Sequence, residues 1–269
     1  MSRLSFSDVL SESFRFFFGN LPLFFHVVTV PWVMSVAIRV VGSLLVPDDD
    51  LIYPALIEKT LDILPTAMFQ IAWMRVVLLG PNSLEHLPGL RWSRRETAYL
   101  LHLIQVGGIT FALVVALTLT LGTLDPDALR AGTDPEVARR QAMAAPLAAG
   151  FIVSMVLALR VCWGLAGTAV DVPFSPRLSW AYSRGNGWTI VGAIFLIAFA
   201  GAAVTFIVML LVVAVVRGIT GPGLGAASVA WTVAILVSYA GTAVIATAMA
   251  VIFRSLLGWQ EGKPLPAPT

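Results

Sequence analysis

The sequence predicts an all-α integral membrane protein with about six transmembrane helices in three repeats, each repeat preceded by a short amphipathic interfacial helix. Hydrophobic residues make up 58% of the 269 residues and charged residues only 12%, a balance outside the usual range of soluble domains. Several stretches of about 20 residues are nearly free of charge, which is the length a helix needs to cross a bilayer. The sequence also contains an internal repeat. We therefore expect residues 1–269 to form a single polytopic membrane domain.

The apolar stretches place the six expected spans at residues 21–46, 61–79, 103–124, 145–169, 188–216 and 227–256. Pro31 and Pro65 lie inside the first two and are expected to interrupt their helices. Small residues near Gly201 and Gly241 offer surfaces for close helix packing in the last two spans. The first residues contain no uninterrupted apolar region of the kind a cleaved signal peptide carries. The single cysteine, Cys162, excludes an intrachain disulfide.

The internal repeat emerges when the chain is shifted by 83 residues. This shift brings Phe16 onto Tyr99 and then onto Tyr182, and two shifts bring Gly19-Asn20 onto Gly185-Asn186. The middle copy lacks the Gly-Asn pair. The copies cover approximately residues 5–80, 90–171 and 175–258, and each is an amphipathic segment followed by two spans.

The amphipathic segments carry the start and stop signals of short helices. In the first, SFSDVLSESFRFFFGN, apolar residues recur every three or four positions, Ser5 and Asp8 form a capping pair, and Gly19-Asn20 ends the helix. In the third, SPRLSWAYSRGN, Ser175-Pro176 opens the helix and Gly185 is expected to close it in the left-handed conformation. Helices of this kind suit the plane of the bilayer surface.

Cations in the short loops predict the orientation. One side of the predicted bundle carries most of them, and the loops on the other side carry the acidic run Asp48 to Asp50 and a mixed-charge stretch, although Lys59 and Arg217 argue mildly for the reverse. The positive-inside rule then places both termini in the cytoplasm. The cations used in this assignment are Arg3, Arg15, Arg91, Arg94, Arg95, Arg177, Arg184 and Lys263.

An arginine recurs late in every return span, at Arg75, Arg160 and Arg254. One interpretation is that each side chain extends along its helix to reach the headgroups. The other is that the three form a cytoplasmic cup for phosphate-bearing lipid headgroups. In the second interpretation, further arginines of the interfacial segments contribute to the cup, namely Arg94, Arg95, Arg177 and Arg184.

Three segments resemble a known family. SPRLSWAYSRGNGWTIVG, ATAMAVIFRSLLGWQEG and SFSDVLSESFRFFFGNLPLFF are similar to the re-entry segment, final span and N-terminal opening of the bacterial YciC-like and glycerophosphodiester phosphodiesterase membrane-domain superfamily. The resemblance covers most of the chain. It implies a six-helix domain of the bacterial inner membrane, without the soluble phosphodiesterase domain to which some members are fused.

Sequence motifs for catalysis are missing from the chain. There is no GxSxG or GxxxxGK[ST] motif, and none of His26, His86 and His102 has a second ligand at metal-binding spacing. We therefore expect no enzyme activity, no metal and no cofactor. A net charge of +2 gives no indication of nucleic acid binding, and the expected partners are membrane lipids, anionic phospholipid among them.

A polar stripe follows the second span at Lys59, Asp62, Thr66 and Gln70. Polar groups inside lipid are costly and mark function by default, so the stripe is the candidate lining of a transport path. The alternative is that Lys59 and Asp62 lie among the headgroups while Gln70 bonds a neighbouring helix. Arg39 is expected to extend to the outer surface rather than to form a buried ion pair.

The function predicted from these features is that of a non-catalytic inner-membrane scaffold or accessory protein that binds anionic phospholipid headgroups at its cytoplasmic face. The alternative is a transporter or permease for lipids or small molecules, which internal repeats and interrupted helices favour. The two differ in a structural property. A transporter has a continuous polar path at mid-membrane, whereas a scaffold has a dry core.

Overall fold

The computed structural model describes residues 4–45, 52–86, 92–122, 135–173, 175–220 and 224–263, and these residues form helices and no strands. Six of the helices are long and apolar enough to cross a membrane. The all-α, multi-pass architecture predicted from the sequence is confirmed. Some residues used for the orientation, among them Arg3, Arg91 and the acidic run 48–50, lie outside the described residues.

Eight α-helices follow one another along the described chain. The two short ones are α1 (Phe6–Gly19) and α6 (Pro176–Tyr182). The long ones are α2 (Leu21–Leu45), α3 (Ile52–Leu79), α4 (Arg94–Gly122), α5 (Pro135–Cys162), α7 (Gly187–Thr220) and α8 (Leu224–Leu257). Two 3-10 segments, Pro81–His86 and Trp163–Val170, follow α3 and α5.

Helix α8 lies at the centre of the bundle. It packs against α7, α3, α2, α1 and the segment Trp163–Val170. Of the residues in its apolar membrane-crossing stretch, 56% are buried, whereas the share is 0% in the corresponding stretch of α7 and 6% in that of α4. Most apolar side chains of α4 and of the second half of α7 thus form the outer surface, as expected of helices that face lipid, whereas Ile190, Ile194 and Ile197 of α7 are buried in the core. We call the side that carries α1 and the C-terminal end of α8 the terminal face, and the other side the opposite face.

The predicted helix boundaries of the interfacial segments hold in the first and third copies. Helix α1 begins after Ser5, whose Oγ accepts a hydrogen bond from the Asp8 amide, and it ends at Gly19. Gly185 adopts a positive φ of 78° between α6 and α7. In the second copy, the amphipathic segment is continuous with the span as the first turns of α4. The reason is visible in the sequence, since this copy has no Gly-Asn pair to end the helix.

The prolines do not interrupt their helices, so this expectation is wrong. Helix α2 continues through Pro31 and α3 through Pro65. A proline removes one backbone hydrogen bond, and inside a helical bundle neighbouring helices hold the rest of the ladder in place. Interrupted helices therefore no longer favour a transporter.

An aromatic cluster fills the terminal half of the bundle. Trp73 of α3 is completely buried and lies within 6.4 Å, centroid to centroid, of four phenylalanine rings from α1, α2 and α3, which are Phe16, Phe17, Phe24 and Phe69. Its Nε1 donates a hydrogen bond to Thr247 Oγ1 of α8 at 2.9 Å. The cluster joins α1, α2 and α3 to α8.

Small residues allow the closest helix contacts, as predicted. A Cβ placed on Gly201 of α7 would lie 3.4 Å from the Cα of Gly241 of α8. Such contacts are the usual way for helices to associate in lipid, where no hydrophobic effect drives them together.

Candidate functional site

The three return-span arginines lie on the terminal half of the bundle, but each contacts a different element. Arg254 of α8 pairs with Glu12 of α1, and both side chains are more than a third exposed. Arg160 of α5 contacts the α6 region, and Arg75 of α3 contacts the segment that follows α5. The described contacts do not join the three into one shared cup.

Arg75 is half-buried and bonded to the backbone. Its Nη1 donates to the Ala169 carbonyl at 2.7 Å. Close by, Arg95 of α4 forms a two-pronged ion pair with Asp171, with Nε to Oδ1 at 2.8 Å and Nη2 to Oδ2 at 2.5 Å. The hydrogen bond from Arg95 lowers the pKa of the Asp171 carboxyl, and the charges of Arg95 and Arg75 lower it further, against an opposing effect of burial.

Arg160 is packed against α6. Its Nε donates to Ser183 Oγ at 3.0 Å, and its guanidinium lies over the Trp180 ring, 3.6 Å from the centroid. Gly187 permits this position, because a Cβ there would lie 3.0 Å from the Arg160 Nε. Within the described part of the chain, the two Nη nitrogens of Arg160 make no hydrogen bond.

The contacts of these arginines join different elements of the fold. Arg160 of α5 contacts Trp180 of α6 and Ser183, and Arg254 of α8 contacts Glu12 of α1. Arg75 of α3 bonds the segment that follows α5, and the positive charge of Arg95 repels it. Each of the three arginines thus joins a different pair of elements. The remaining predicted residues, Arg94, Arg177 and Arg184, are exposed.

An apolar cavity of about 320 Å³ adjoins Arg160 between α4, α5 and α6. Leu157, Ala158 and Val161 line it from α5, and Trp180, on which Arg160 stacks, lines it from α6. Its one polar lining side chain, Thr110, already donates its hydroxyl hydrogen to the Val106 carbonyl at 2.8 Å. The wall therefore offers an incoming molecule apolar contact only.

A polar cavity of about 230 Å³ lies on the opposite half, between α2, α3, α7 and α8. It takes in three of the four residues of the predicted polar stripe, Lys59, Asp62 and Thr66. It is also lined by polar residues near the middle of the other three helices, which are Ser35, Thr205 and Tyr239. The cavity therefore reaches the mid-plane of the bundle.

Charged groups occupy the part of the cavity nearer the opposite face. Arg39 Nη1 lies 2.5 Å from Glu58 Oε2, and the Arg39 guanidinium is 4.4 Å from the centroid of the Trp231 ring. Arg39 was expected to extend to the outer surface rather than to form a buried ion pair; it does pair with a carboxylate on the neighbouring helix, but its side chain stays 35% exposed. The Asp62 Oδ1 atom is buried and has no hydrogen-bond partner among the described residues.

Gln70 lies apart from the cavity. It accepts a hydrogen bond from the Tyr99 hydroxyl of α4. At the deep end of the cavity, the Tyr239 hydroxyl and Ser35 are hydrogen-bonded at 2.8 Å. The Tyr239 ring packs edge-to-face on Phe69 with 5.1 Å between centroids, and Phe69 stacks on Trp73. Among the described residues, the polar lining ends where the aromatic cluster begins.

Sequence analysis missed the cavity itself, although the stripe on α3 was found. Its other walls carry polar residues at helical spacing, with Ser35 and Arg39 on α2 and Ser238 and Thr242 on α8. These pairs are a usable signal, because i and i+4 residues lie on one face of a helix. What the sequence does not reveal is that the three faces meet.

Comparisons with known proteins do not assign the chain to a family. No family model matches the chain, and no similar curated protein or solved structure was found. The resemblance to the YciC-like and glycerophosphodiester phosphodiesterase membrane-domain superfamily therefore stays a prediction.

Proposed function

We propose that this chain is a non-catalytic membrane scaffold or accessory protein that binds anionic phospholipid headgroups at its terminal face. The observation that supports the proposal most is the position of Arg160, an arginine with unbonded Nη nitrogens, beside an apolar cavity of about 320 Å³. In this proposal, the terminal face is cytoplasmic, in accordance with the positive-inside rule. The membrane is the bacterial inner membrane, which the family resemblance implies.

A phospholipid complements this site in both its parts. An acyl chain suits the apolar wall formed by Leu157 and Val161, and a phosphate suits a planar guanidinium that is already oriented by its stacking on Trp180. Arg177 and Arg184 are exposed and flank Trp180 and Ser183 in sequence. They add positive charge near the headgroup.

The other arginines have supporting roles in this proposal. Arg75, Arg95 and Arg254 already have a carbonyl or a carboxylate as partner, so a lipid phosphate competes with those contacts. Arg94 is exposed and contributes attraction at longer range. Of the return-span arginines, Arg160 is thus the proposed headgroup ligand.

The test compares Arg160→Ala with Arg254→Ala by native mass spectrometry of gently solubilised protein. We expect the wild type and Arg254→Ala to retain an anionic phospholipid, and Arg160→Ala to lose most of it. Arg160→Lys should retain an intermediate amount, because it keeps the charge but loses the planar stacking. Equal retention by Arg160→Ala and the wild type would contradict the proposal.

A transporter is the second candidate, and the polar cavity is the observation that favours it. The cavity reaches the middle of four helices, where transporters hold their substrates. In this conformation the aromatic cluster around Trp73 closes the way to the terminal face, so transport requires a second conformation. A solute flux into sealed vesicles that stops when Thr66 is replaced by a bulky residue would favour this candidate over the scaffold.

A further inference from the structure

Asp62 is the least satisfied polar group on the polar cavity. Its Oδ1 atom is buried and lacks a hydrogen-bond donor among the described residues. A buried carboxylate oxygen without a donor is costly. Two hydroxyls deeper in the cavity are already engaged, since Ser35 and Tyr239 bond each other at 2.8 Å. The cavity therefore lacks a donor at this position.

The charges on the cavity wall are arranged in depth. Arg39 and Glu58 neutralise each other at 2.5 Å. Asp62 and Lys59 remain, and no ion pair joins them in the described structure. Lys59 is exposed and lies about one helical turn nearer the opposite face than Asp62. The cavity thus presents a negative charge at depth and a positive charge at its rim.

We infer that this cavity binds a small zwitterion, with its primary ammonium group against Asp62 and its anionic group towards Lys59. An ammonium supplies the donors that Asp62 Oδ1 lacks, and the Tyr239 ring on the same wall favours a cation. The inference concerns the opposite face and does not rest on the lipid site proposed at Arg160.

The size of the cavity restricts the ligand. Its volume of about 230 Å³ is below the roughly 300–1,000 Å³ of sites for drug-sized molecules, and it equals the space of about seven or eight waters at about 30 Å³ each. A free amino-acid-like solute has this size and charge pattern. So does the phosphoethanolamine headgroup of a membrane lipid. The shared chemistry is a primary ammonium a few bonds from an anion.

The experiment measures binding of soluble probes to the full chain in phosphatidylcholine nanodiscs by isothermal titration calorimetry. The probes are glycine, phosphoethanolamine, phosphocholine and ethanolamine. Asp62→Asn keeps the shape of the side chain and removes its charge. Asp8→Asn makes the same change on the exposed face of α1 and is the matched control. Thermal unfolding and size-exclusion chromatography verify that each variant is folded.

We expect the wild type and Asp8→Asn to bind glycine and phosphoethanolamine, and Asp62→Asn to bind them at least about tenfold more weakly, as the loss of a charge-assisted hydrogen bond predicts. Phosphocholine should bind at least about tenfold more weakly than phosphoethanolamine, because its nitrogen carries no hydrogen to donate. Absence of binding of both primary-ammonium probes to the wild type, or unchanged binding to Asp62→Asn, would overturn the inference.

Two further measurements complete the test. If Asp62→Asn does not fold, Lys59→Gln replaces it. Lys59→Gln should weaken binding of phosphoethanolamine and leave binding of ethanolamine unchanged; equal weakening of both would overturn the assignment of Lys59.

The lipid composition of the nanodisc distinguishes the two sources of the ligand. Phosphatidylethanolamine in the nanodisc should displace the soluble probes if the natural ligand is a lipid headgroup, and should leave them bound if it is a free solute. Both results support the shared chemistry.

Discussion

The terminal half and the opposite half of the bundle use their polar groups differently. In the terminal half, the indole of Trp73 donates to Thr247, and Arg75, Arg160 and Arg254 each bond another element of the fold. In the opposite half, the buried Oδ1 atom of Asp62 has no hydrogen-bond partner among the described residues, and it lies beside a cavity of about 230 Å³. The arginines of the first half thus bond other parts of the fold, and the cavity beside Arg160 has an apolar wall, whereas the cavity of the second half is lined by charged and polar side chains.

This difference indicates what kind of ligand each half suits. An apolar wall beside an arginine suits the proposed lipid, whereas a buried carboxylate oxygen without a partner usually has a role other than stabilising the fold. In the terminal half, the return-span arginines also join different elements of the fold. The opposite half retains space and charge for a small polar ligand.

The largest expected effect is that of removing the centre of the aromatic cluster. Trp73→Ala should lower the free energy of unfolding by about 3–5 kcal/mol, because it leaves a large cavity and removes the hydrogen bond to Thr247. Reversible unfolding in mixed micelles measures this change. Trp188→Ala is the control, since Trp188 is 81% exposed, and it should change stability by less than about 1 kcal/mol. Equal effects of the two substitutions would remove the distinction between core and surface in the terminal half.

A smaller effect is expected for the ion pair between α1 and α8. A double-mutant cycle of Glu12→Gln and Arg254→Gln should give a coupling energy of about 0.2–1 kcal/mol, because both partners are partly exposed to solvent. The same unfolding assay at low and high salt measures it, and the coupling should decrease at high salt. A coupling of zero at low salt would mean that the pair does not hold α1 against α8.

The smallest effect concerns pH. The pKa of Asp171 is lowered in the folded state, mainly by the hydrogen bond from Arg95. Its contribution to stability is therefore complete above the unfolded pKa of about 3.9 and is lost as pH falls through the lower folded value. Since the Asp171 side chain is 63% exposed, the loss should stay below about 1 kcal/mol. Asp171→Asn should flatten this part of the stability profile between about pH 5 and 2; an unchanged profile would show that the pair contributes nothing.

Features of the fold that depend on local sequence were predictable. The number of spans follows from apolar length, the ends of α1 follow from Ser5 and Gly19, and the left-handed Gly185 follows from the need to turn between α6 and α7. The merging of the second amphipathic segment with α4 also has a local cause, the missing Gly-Asn pair. Each of these features can be predicted from residues that are neighbours in the sequence.

The candidate sites depend on how helices rotate and meet, so they were only partly predictable. Four-residue steps advance a helix by about 40° beyond a full turn, so Gln70 lies about 80° around α3 from Asp62. It consequently reaches Tyr99 of α4, while Asp62 faces the cavity. The pairing of Arg39 with Glu58 depends on how α2 packs against α3, which the sequence of α2 does not reveal. Such pairings cannot be obtained from one helix at a time.

The central claim is that the polar cavity opens to the opposite face and ends at the aromatic cluster. Cysteine accessibility tests it directly, because the chain has one cysteine and Cys162→Ala gives a background without any. Thr66→Cys places a thiol on the cavity, and Thr247→Cys places one in the cluster beside Trp73. In sealed vesicles of known orientation, we expect a membrane-impermeant thiol reagent to label Thr66→Cys from the opposite face only, and to label Thr247→Cys from neither face. Labelling of Thr66→Cys from both faces, or from neither, would contradict the account.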